Sequence, residues 1–502
     1  MHYVRNFILR EPQYMSREDP GTMNTTVNIY DIIKQETQPH LQRTALTEGQ
    51  QSISYAELFA ASERVAETLR MKGVDKLQRV GLLCDDSIDY VIASLAILSL
   101  SAVIVPISPE QTPGEIDTVI DRIDVDFIIA EKRLRQDVGQ EQLRGDGFVA
   151  REFVLIRRSA RECPPAGYFE ANPAFVRFSS GTTGASKGIL LSHQTIVDRT
   201  DAADRGLNVT HRDTVLWVLS MSYHFVVSIL LFLRRGATIV LCGRPFPDAL
   251  IEGLTLHQGT FIYASPFHYS LLSRSDHVPP NALDRVRLAI STSMKLPEQV
   301  AEEFLNRFGF ELSEAYGIIE VGLPFVRLSG GAFTRGSVGR ALPDYEIRLD
   351  KTDAGGVGEI SVRGRGMLDA YYSPWRSRDQ VLSEGWFRTG DLGKVDGDGF
   401  LFIVGRDKDV INFVGMKIFA QEVESVINRH PAVKESLVYG VPHASYGELP
   451  TAKIVLNGEV NLGETLNDLR DFCYRLLTKY KVPKEFVPVD SLPKTASGKL
   501  KR

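Results

Sequence analysis

Apolar residues along this chain fall into short blocks whose spacing switches repeatedly between a helical and an extended period. Residues 54–71 read as a helix opened by a Ser cap, and residues 79–84 as a short apolar strand. A helix at 91–100 and a strand at 102–106 follow, then a helix at 113–123 and a strand at 126–130. The rhythm resumes with strands at 215–219 and 238–241 around a helix at 226–234. Strands at 261–264 and 286–291 and a helix at 297–308 complete it. Strands alternating with helices predict an α/β fold of parallel sheets flanked by helices. From about Gly336 the texture changes to short strands at 346–349, 358–363 and 399–405, separated by Gly and Asp turns. That predicts a small β-barrel or antiparallel sheet. Beyond Arg406 a compact α/β unit carries helices at 420–429 and 463–477.

One apolar block poses a separate question. Residues 90–107 are almost continuously apolar and approach the length of a membrane span. Ser94, Ser99 and Ser101 interrupt the block, and it ends in Val103-Ile104-Val105-Pro106, β-branched and then broken. A buried helix running into a buried strand is expected, with no membrane span. Near the start, Phe7-Ile8-Leu9 is too short for a signal-peptide core. Residues 1–27 read as a mobile leader, with Met23 as an alternative start.

Composition narrows the function classes. A length of 502 residues exceeds what one hydrophobic core organises, so at least two domains are expected. The balance of 58 basic against 63 acidic residues gives a net charge of −5, no electrostatic footprint for nucleic acid. Cys84, Cys163, Cys242 and Cys473 lie far apart and form no CxxC pair, which argues against a zinc knuckle or a disulfide scaffold. A reducing, cytoplasmic compartment is expected.

The densest local signal is Phe178-Ser179-Ser180-Gly181-Thr182-Thr183-Gly184-Ala185-Ser186-Lys187-Gly188. Its glycines permit tight turns and expose N–H groups, its hydroxyls add donors, and Lys187 adds a fixed positive charge. Such a loop suits a polyphosphate. It is neither the Walker pattern nor the dinucleotide fingerprint. Taken alone, it reads equally well as a linker.

The loop resembles the phosphate-binding motif of the adenylate-forming superfamily of acyl- and aryl-CoA synthetases, nonribosomal adenylation domains and luciferases. Further motifs follow in that family's order. They are Glu314-Ala315-Tyr316-Gly317-Ile318-Ile319-Glu320, Gly358-Glu359-Ile360 through Gly364 with Tyr371-Tyr372, and Trp386-Phe387-Arg388-Thr389-Gly390-Asp391-Leu392. Gly405-Arg406-Asp407-Lys408 resembles the family's hinge, and Leu492-Pro493-Lys494-Thr495-Ala496-Ser497-Gly498-Lys499 its C-terminal lysine motif. The resemblance spans roughly residues 28–502. It implies an adenylation core at 28–405 that binds ATP and acid, a hinge at 406–408 and a small mobile α+β domain at 409–502.

The implied reaction joins a carboxylate to ATP, releases pyrophosphate, and passes the acyl group to a thiol. An anion must attack an anionic phosphate, and two unit charges near 4 Å repel by roughly 4 kcal/mol at an effective dielectric near 20. By resemblance, Lys499 bridges the two anions. Glu320 is the single protein carboxylate on Mg²⁺, an ion that keeps much of its water and substrate ligation. Ser180, Gly181, Thr182, Thr183, Gly184 and Lys187 hold the ATP phosphates. Glu314, Ala315, Tyr316, Gly317 and Ile319 line the nucleotide, with the Tyr316 face toward adenine and Ser291 and Thr292 on the other side. Asp391 accepts from the ribose hydroxyls and Arg406 supports it. Lys408 is the hinge residue, and Gly415 and Lys417 line the thiol tunnel after rotation.

Two departures stand out. Ile319 replaces the family's Thr, which removes a hydrogen bond to a charged group worth about 1.5–3 kcal/mol. Ser186 replaces the usual Pro. For the acid, residues 220–228 contain no Asp to pair with an α-ammonium, so an α-amino acid is disfavoured. His224 matches a catalytic or pocket position of acyl- and aryl-CoA ligases. With Phe225, Val226, Val227 and Ser293 it implies an apolar pocket for an aryl or short-to-medium acyl acid. The acceptor is coenzyme A or the phosphopantetheine of a separate carrier protein. A catalytically weak homologue acting as a binding protein is the third reading. A monomer or homodimer fits all three.

Overall fold

The computed structural model describes residues 27–134, 141–143, 147–158, 163–179, 187–243, 245–328, 336–413, 416–443, 446–458, 461–494 and 500–501. Apart from Val27, the expected leader lies outside these residues.

Two large sheets carry the first part of the chain. The nine-stranded sheet is parallel at its centre, where Phe127–Glu131, Arg79–Leu83, Val103–Ile107 and Pro173–Ser179 lie side by side. Arg79–Leu83 and Val103–Ile107 are buried along their whole length, as strands covered on both faces must be. The eight-stranded sheet runs Gly322–Arg327, Ser313–Ile318, Leu288–Ser291, Phe261–Ala264, Thr214–Trp217, Thr238–Leu241, Thr44–Glu48, Gln51–Ser54. Its interior pairs are parallel and both edges are antiparallel hairpins. The expectation of parallel sheets therefore holds for the centres, while the rims are antiparallel.

The apolar block at 90–107 resolves as expected into the buried helix Ile88–Ser99 and the strand Val103–Ile107. Ile88–Ser99 lies in the main core, to which both sheets contribute side chains. No helix of the described residues is long and apolar enough to cross a membrane. The helix Pro113–Ile123 also lies where expected, set by Pro113 in its first turn and a reciprocal Thr112–Glu115 cap.

One region differs from expectation and another settles an alternative. The segment expected as one helix at 226–234 is split into Met221–His224, a widened π-type turn at Phe225–Ile229, and Leu230–Arg234. The Leu230 N–H reaches back five residues to the Phe225 carbonyl, and the Ser228 hydroxyl donates to the His224 carbonyl at 2.5 Å. Such a bulge rotates the side chains on either side of it relative to an unbroken helix. The region after Gly336 takes the second of its two expected forms. Tyr345–Asp350, Gly358–Gly364, Phe387–Val395 and Leu401–Arg406 form a four-stranded antiparallel sheet whose pairing does not close into a barrel among the described residues. Residues 338–339 bond to Leu401 of this sheet, where Val338 N–H donates to Leu401 O and Leu401 N–H to Gly339 O.

After the turn Asp407–Asp409, a separate small core begins. Strands Val410–Phe413, Met416–Phe419, Val433–His443, Gly447–Leu456 and Glu485–Pro488 form its sheet, with helices Ala420–Ile427 and Leu462–Leu476. Ile411, Ile418, Val423, Val438, Ile454, Leu469 and Cys473 fill it. Its buried residues form a cluster distinct from the main one, which gives the second domain a core of its own.

Candidate active site

The first cluster draws one side chain from each of three strands. Tyr316 comes from Ser313–Ile318, Asp391 from Phe387–Val395 and Arg406 from Leu401–Arg406. Asp391 and Arg406 are direct register partners, and the Arg406 Nε lies 2.9 Å from Asp391 Oδ1. The Tyr316 hydroxyl donates to the other carboxylate oxygen at 2.6 Å. Asp391 is only 4% exposed, and burial together with this carboxylate pushes the Tyr316 phenol far above its ordinary range. A carboxylate held at both oxygens by a cation and a phenol still has lone pairs for further donors. Gly317 follows Tyr316 because a Cβ there would meet the Gly322 carbonyl at 2.4 Å.

The second cluster is built around Glu320, in the turn after Ser313–Ile318. Its backbone carbonyl accepts from Leu368 N–H at 2.7 Å, and its Oε1 accepts from the Tyr371 hydroxyl at 3.3 Å. Tyr371 sits on Ala370–Tyr371, which pairs with the Lys187–Ser192 strand. The Lys187 Nζ lies 4.6 Å over the Tyr371 ring centroid, a cation–π contact. Glu320 and Lys187, expected to serve the same phosphates, are thus joined through Tyr371, to which sequence reasoning gave no role. The backbone carbonyl of Ile319 accepts from Arg199 Nη1 at 3.1 Å, and its half-buried side chain packs on the main core. Arg199 is fully buried, and burial lowers its guanidinium to about 10.

The third cluster is the wall expected to hold the acid. His224 Nε2 lies 3.3 Å from the Ser293 hydroxyl. Ser293 holds a left-handed backbone (φ 74°), unusual for a residue with a Cβ. Beneath His224, Trp217 packs edge-on to it and stacks on Tyr263 at 5.6 Å and 12°. Val227 is half-buried, but Phe225 departs from the expectation of a pocket residue. It is 1% exposed and packs edge-on against Tyr90, because the widened turn carries it into the core.

The remaining expected residues are placed as follows. The Thr292 hydroxyl faces the Ala315 carbonyl at 3.4 Å, and the Ser291 hydroxyl is buried without a hydrogen-bond partner. Glu314 is buried, accepts the Leu296 N–H at 3.0 Å, and has its carboxyl raised by that burial. It therefore pins the 292–297 turn to this strand. Lys408 lies in the turn between the last strand of the four-stranded sheet and the first strand of the small domain. Ser180, Gly181, Thr182, Thr183, Gly184, Gly415 and Lys499 lie outside the described residues, as does the side chain of Lys417. Lys494 and Leu500, on either side of the lysine motif, form an antiparallel bridge, and Lys501 Nζ stands 4.0 Å from Glu115 at the start of the helix Pro113–Ile123. The tail thus touches the large lobe at Glu115, whose charge also acts on Tyr223, the neighbour of His224.

Among the described residues no three His, Cys, Asp or Glu side chains gather as a metal cage. Glu320 offers a single hard oxygen donor, which fits a magnesium ion that takes its other ligands from water and phosphate.

Known proteins share this architecture. Residues 33–372 match the model described as AMP-binding enzyme, and residues 422–499 match the one described as AMP-binding enzyme C-terminal domain. The 2-succinylbenzoate–CoA ligase of Bacillus subtilis is 28% identical over 485 residues, covering 94% of this chain and 96% of its own. The o-succinylbenzoate CoA synthetase of Bacillus subtilis, solved with its acyl-adenylate intermediate, superposes with a TM-score of 0.80 at 26% identity, over 95% of this chain and 98% of that one. Solved with ATP and magnesium ion, it gives 0.79 at 26% identity, over 94% and 98%.

Proposed function

Because the chain belongs to the AMP-binding enzyme family through both its large lobe and its C-terminal domain, we propose that it activates a carboxylic acid with ATP and transfers the acyl group to coenzyme A. The observation that carries this reading is the Tyr316–Asp391–Arg406 cluster, a carboxylate pre-fixed for a sugar diol beside Glu320 and Lys187. The acid is of aryl or short-to-medium acyl type, seated at His224 and Ser293 above the Trp217–Tyr263 stack.

In this reading Asp391 accepts the ribose hydroxyls with no reorganisation, since its own orientation is already fixed. Lys187 and the glycine-rich loop receive the phosphates. Glu320, oriented by Tyr371, would hold a magnesium ion, which would supply charge neutralisation for the phosphates. His224 and Ser293 align the attacking carboxylate, and Lys499 offsets repulsion between the two anions as the carbon–oxygen–phosphorus link forms and pyrophosphate leaves. Rotation about residues 406–408 then removes Lys499 and brings the loop at Gly415 and Lys417 to the adenylate, where the thiol displaces AMP.

Acid-dependent exchange of pyrophosphate into ATP, measured over a panel of carboxylic acids and followed by mass detection of the CoA thioester, tests the reading. An acid-dependent exchange signal and a CoA adduct are expected. Absence of exchange with every acid in a folded protein refutes the activity. Lys499→Ala is expected to slow exchange by at least a hundredfold while a supplied acyl-adenylate is still converted to thioester. Equal loss in both half-reactions would overturn this division of labour.

A further inference from the structure

The strand Pro173–Ser179, which leads into the glycine-rich loop, carries one charged residue in an otherwise apolar run: Arg177. Its Nη1 donates to the Tyr223 carbonyl, and its guanidinium carbon lies 5.8 Å over the Tyr223 ring centroid. Its Nε is buried and has no hydrogen-bond partner. No carboxylate stands within ion-pair distance of it among the described residues, although Glu320 is near enough to act on it electrostatically. The neighbouring buried Arg199 is the instructive contrast. All three of its guanidinium nitrogens donate to the carbonyls of Gly366 and Ile319. Arg177 as a whole is half-buried, and leaving its buried Nε–H without an acceptor is costly unless something supplies one. Burial also lowers the Arg177 guanidinium from its ordinary range. Tyr223 immediately precedes His224, so Arg177 stands where the acid wall meets the Glu320 cluster.

We propose that Arg177 binds an anionic oxygen of the bound reactants, donating through Nε to the carboxylate of the acid or to a phosphate of ATP. This role rests on the reaction proposed above. It makes Arg177 a direct determinant of reactant affinity in the adenylation step, separate from the lysines. A guanidinium suits such an oxygen because its donors are fixed in a plane and its charge persists when water is excluded.

The test uses the full chain as wild type, Arg177→Met and Arg177→Lys. Calorimetry gives the dissociation constants for magnesium-ATP and for the acid that best supports exchange, and a thermal melt checks the fold. The Met variant is expected to bind one of the two reactants at least tenfold more weakly, with the Lys variant in between and melting temperatures close to wild type. Weakening confined to the acid identifies the carboxylate as the bound group; weakening confined to ATP identifies a phosphate. Both constants within twofold of wild type overturn the proposal. Should the Met variant fail to fold, Arg177→Lys decides: at least threefold weaker binding of one reactant supports the role, and unchanged binding overturns it. A wild-type chain that binds neither magnesium-ATP nor any acid refutes the proposed reaction itself, an outcome distinct from failure of Arg177 alone.

Discussion

The proposed nucleotide side and the proposed acid side of the site are built by different means. On the nucleotide side, Asp391 has a partner on each oxygen and Glu320 has Tyr371 on its carboxylate, so these two carboxylates are oriented before any ligand arrives. On the acid side, the Trp217 Nε1 is buried without a hydrogen-bond partner, as is the Arg177 Nε at the junction with the Glu320 cluster, and His224 Nε2 lies 3.3 Å from the Ser293 hydroxyl. Preorganised polar groups lower the cost of binding an invariant ligand. A wall of aromatic surface with unpaired donors instead derives its affinity from the ligand that completes it. In the proposed reaction, discrimination between substrates thus belongs to the acid side, and the nucleotide side is shared machinery.

The largest expected effect breaks the nucleotide side. Asp391→Ala leaves Arg406 and Tyr316 without their shared acceptor, and a hydrogen bond to a charged group contributes about 1.5–3 kcal/mol. Realised in ATP binding, that loss raises the KM for ATP about tenfold or more while the ranking of acids stays as in wild type. A changed ranking would break the contrast between the two sides.

A smaller effect is expected at Ile319, which lies between the sides. Ile319→Thr adds a hydroxyl at the turn before Glu320, and pre-steady-state pyrophosphate release is expected to accelerate up to tenfold, or about 1.4 kcal/mol of barrier. Because the Ile319 side chain packs on the main core, a slightly lower melting temperature should accompany the gain. Release that is no faster, with weaker acid binding, assigns Ile319 to the acid wall. The smallest effect is expected at Ser293→Ala. A neutral hydrogen bond contributes only about 0.5–1.5 kcal/mol, so the KM for the acid should rise a few-fold with the KM for ATP unchanged. An equal rise in both would show that the two sides are mechanically coupled.

What the sequence reveals follows the range of the interactions concerned. Thr112, Pro113 and Glu115 announce a helix start within four residues, and Pro113–Ile123 lies where they place it. The apolar runs at Arg79–Leu83 and Val103–Ile107 are legible for the same local reason. Asp391, Tyr316 and Arg406 were nameable only through the ordered motifs, since their meeting spans 75 residues between Tyr316 and Asp391. The widened turn after His224 was hidden because the run Phe225–Ile229 is apolar apart from Ser228 and carries no Gly or Pro to mark a break. Tyr371 was named within the ordered motifs but given no role, and Arg177 was missed, for a different reason. Neither a Tyr in a short strand nor a lone Arg in an apolar one announces its partner locally; only long-range pairing reveals what it faces. A charged residue within the buried strand leading into the phosphate loop was nonetheless a readable clue to Arg177.

The parallel pairing of Thr44–Glu48 with Thr238–Leu241 has a consequence in time. During synthesis the first of these strands emerges about 190 residues ahead of its partner, which at roughly 5–20 residues per second is a wait of about 10–40 s. Its hairpin mate Gln51–Ser54 and the helix Tyr55–Met71 are available at once, so a local hairpin and helix can form early. The inner edge of Thr44–Glu48, with Ala45, Leu46 and Thr47 destined for full burial, stays open through that interval. An unpaired apolar strand edge is a template for pairing between chains. The growing polypeptide is therefore most vulnerable to aggregation before residue 241 is made, and slowing translation upstream of that point should lower the soluble yield without altering the finished enzyme.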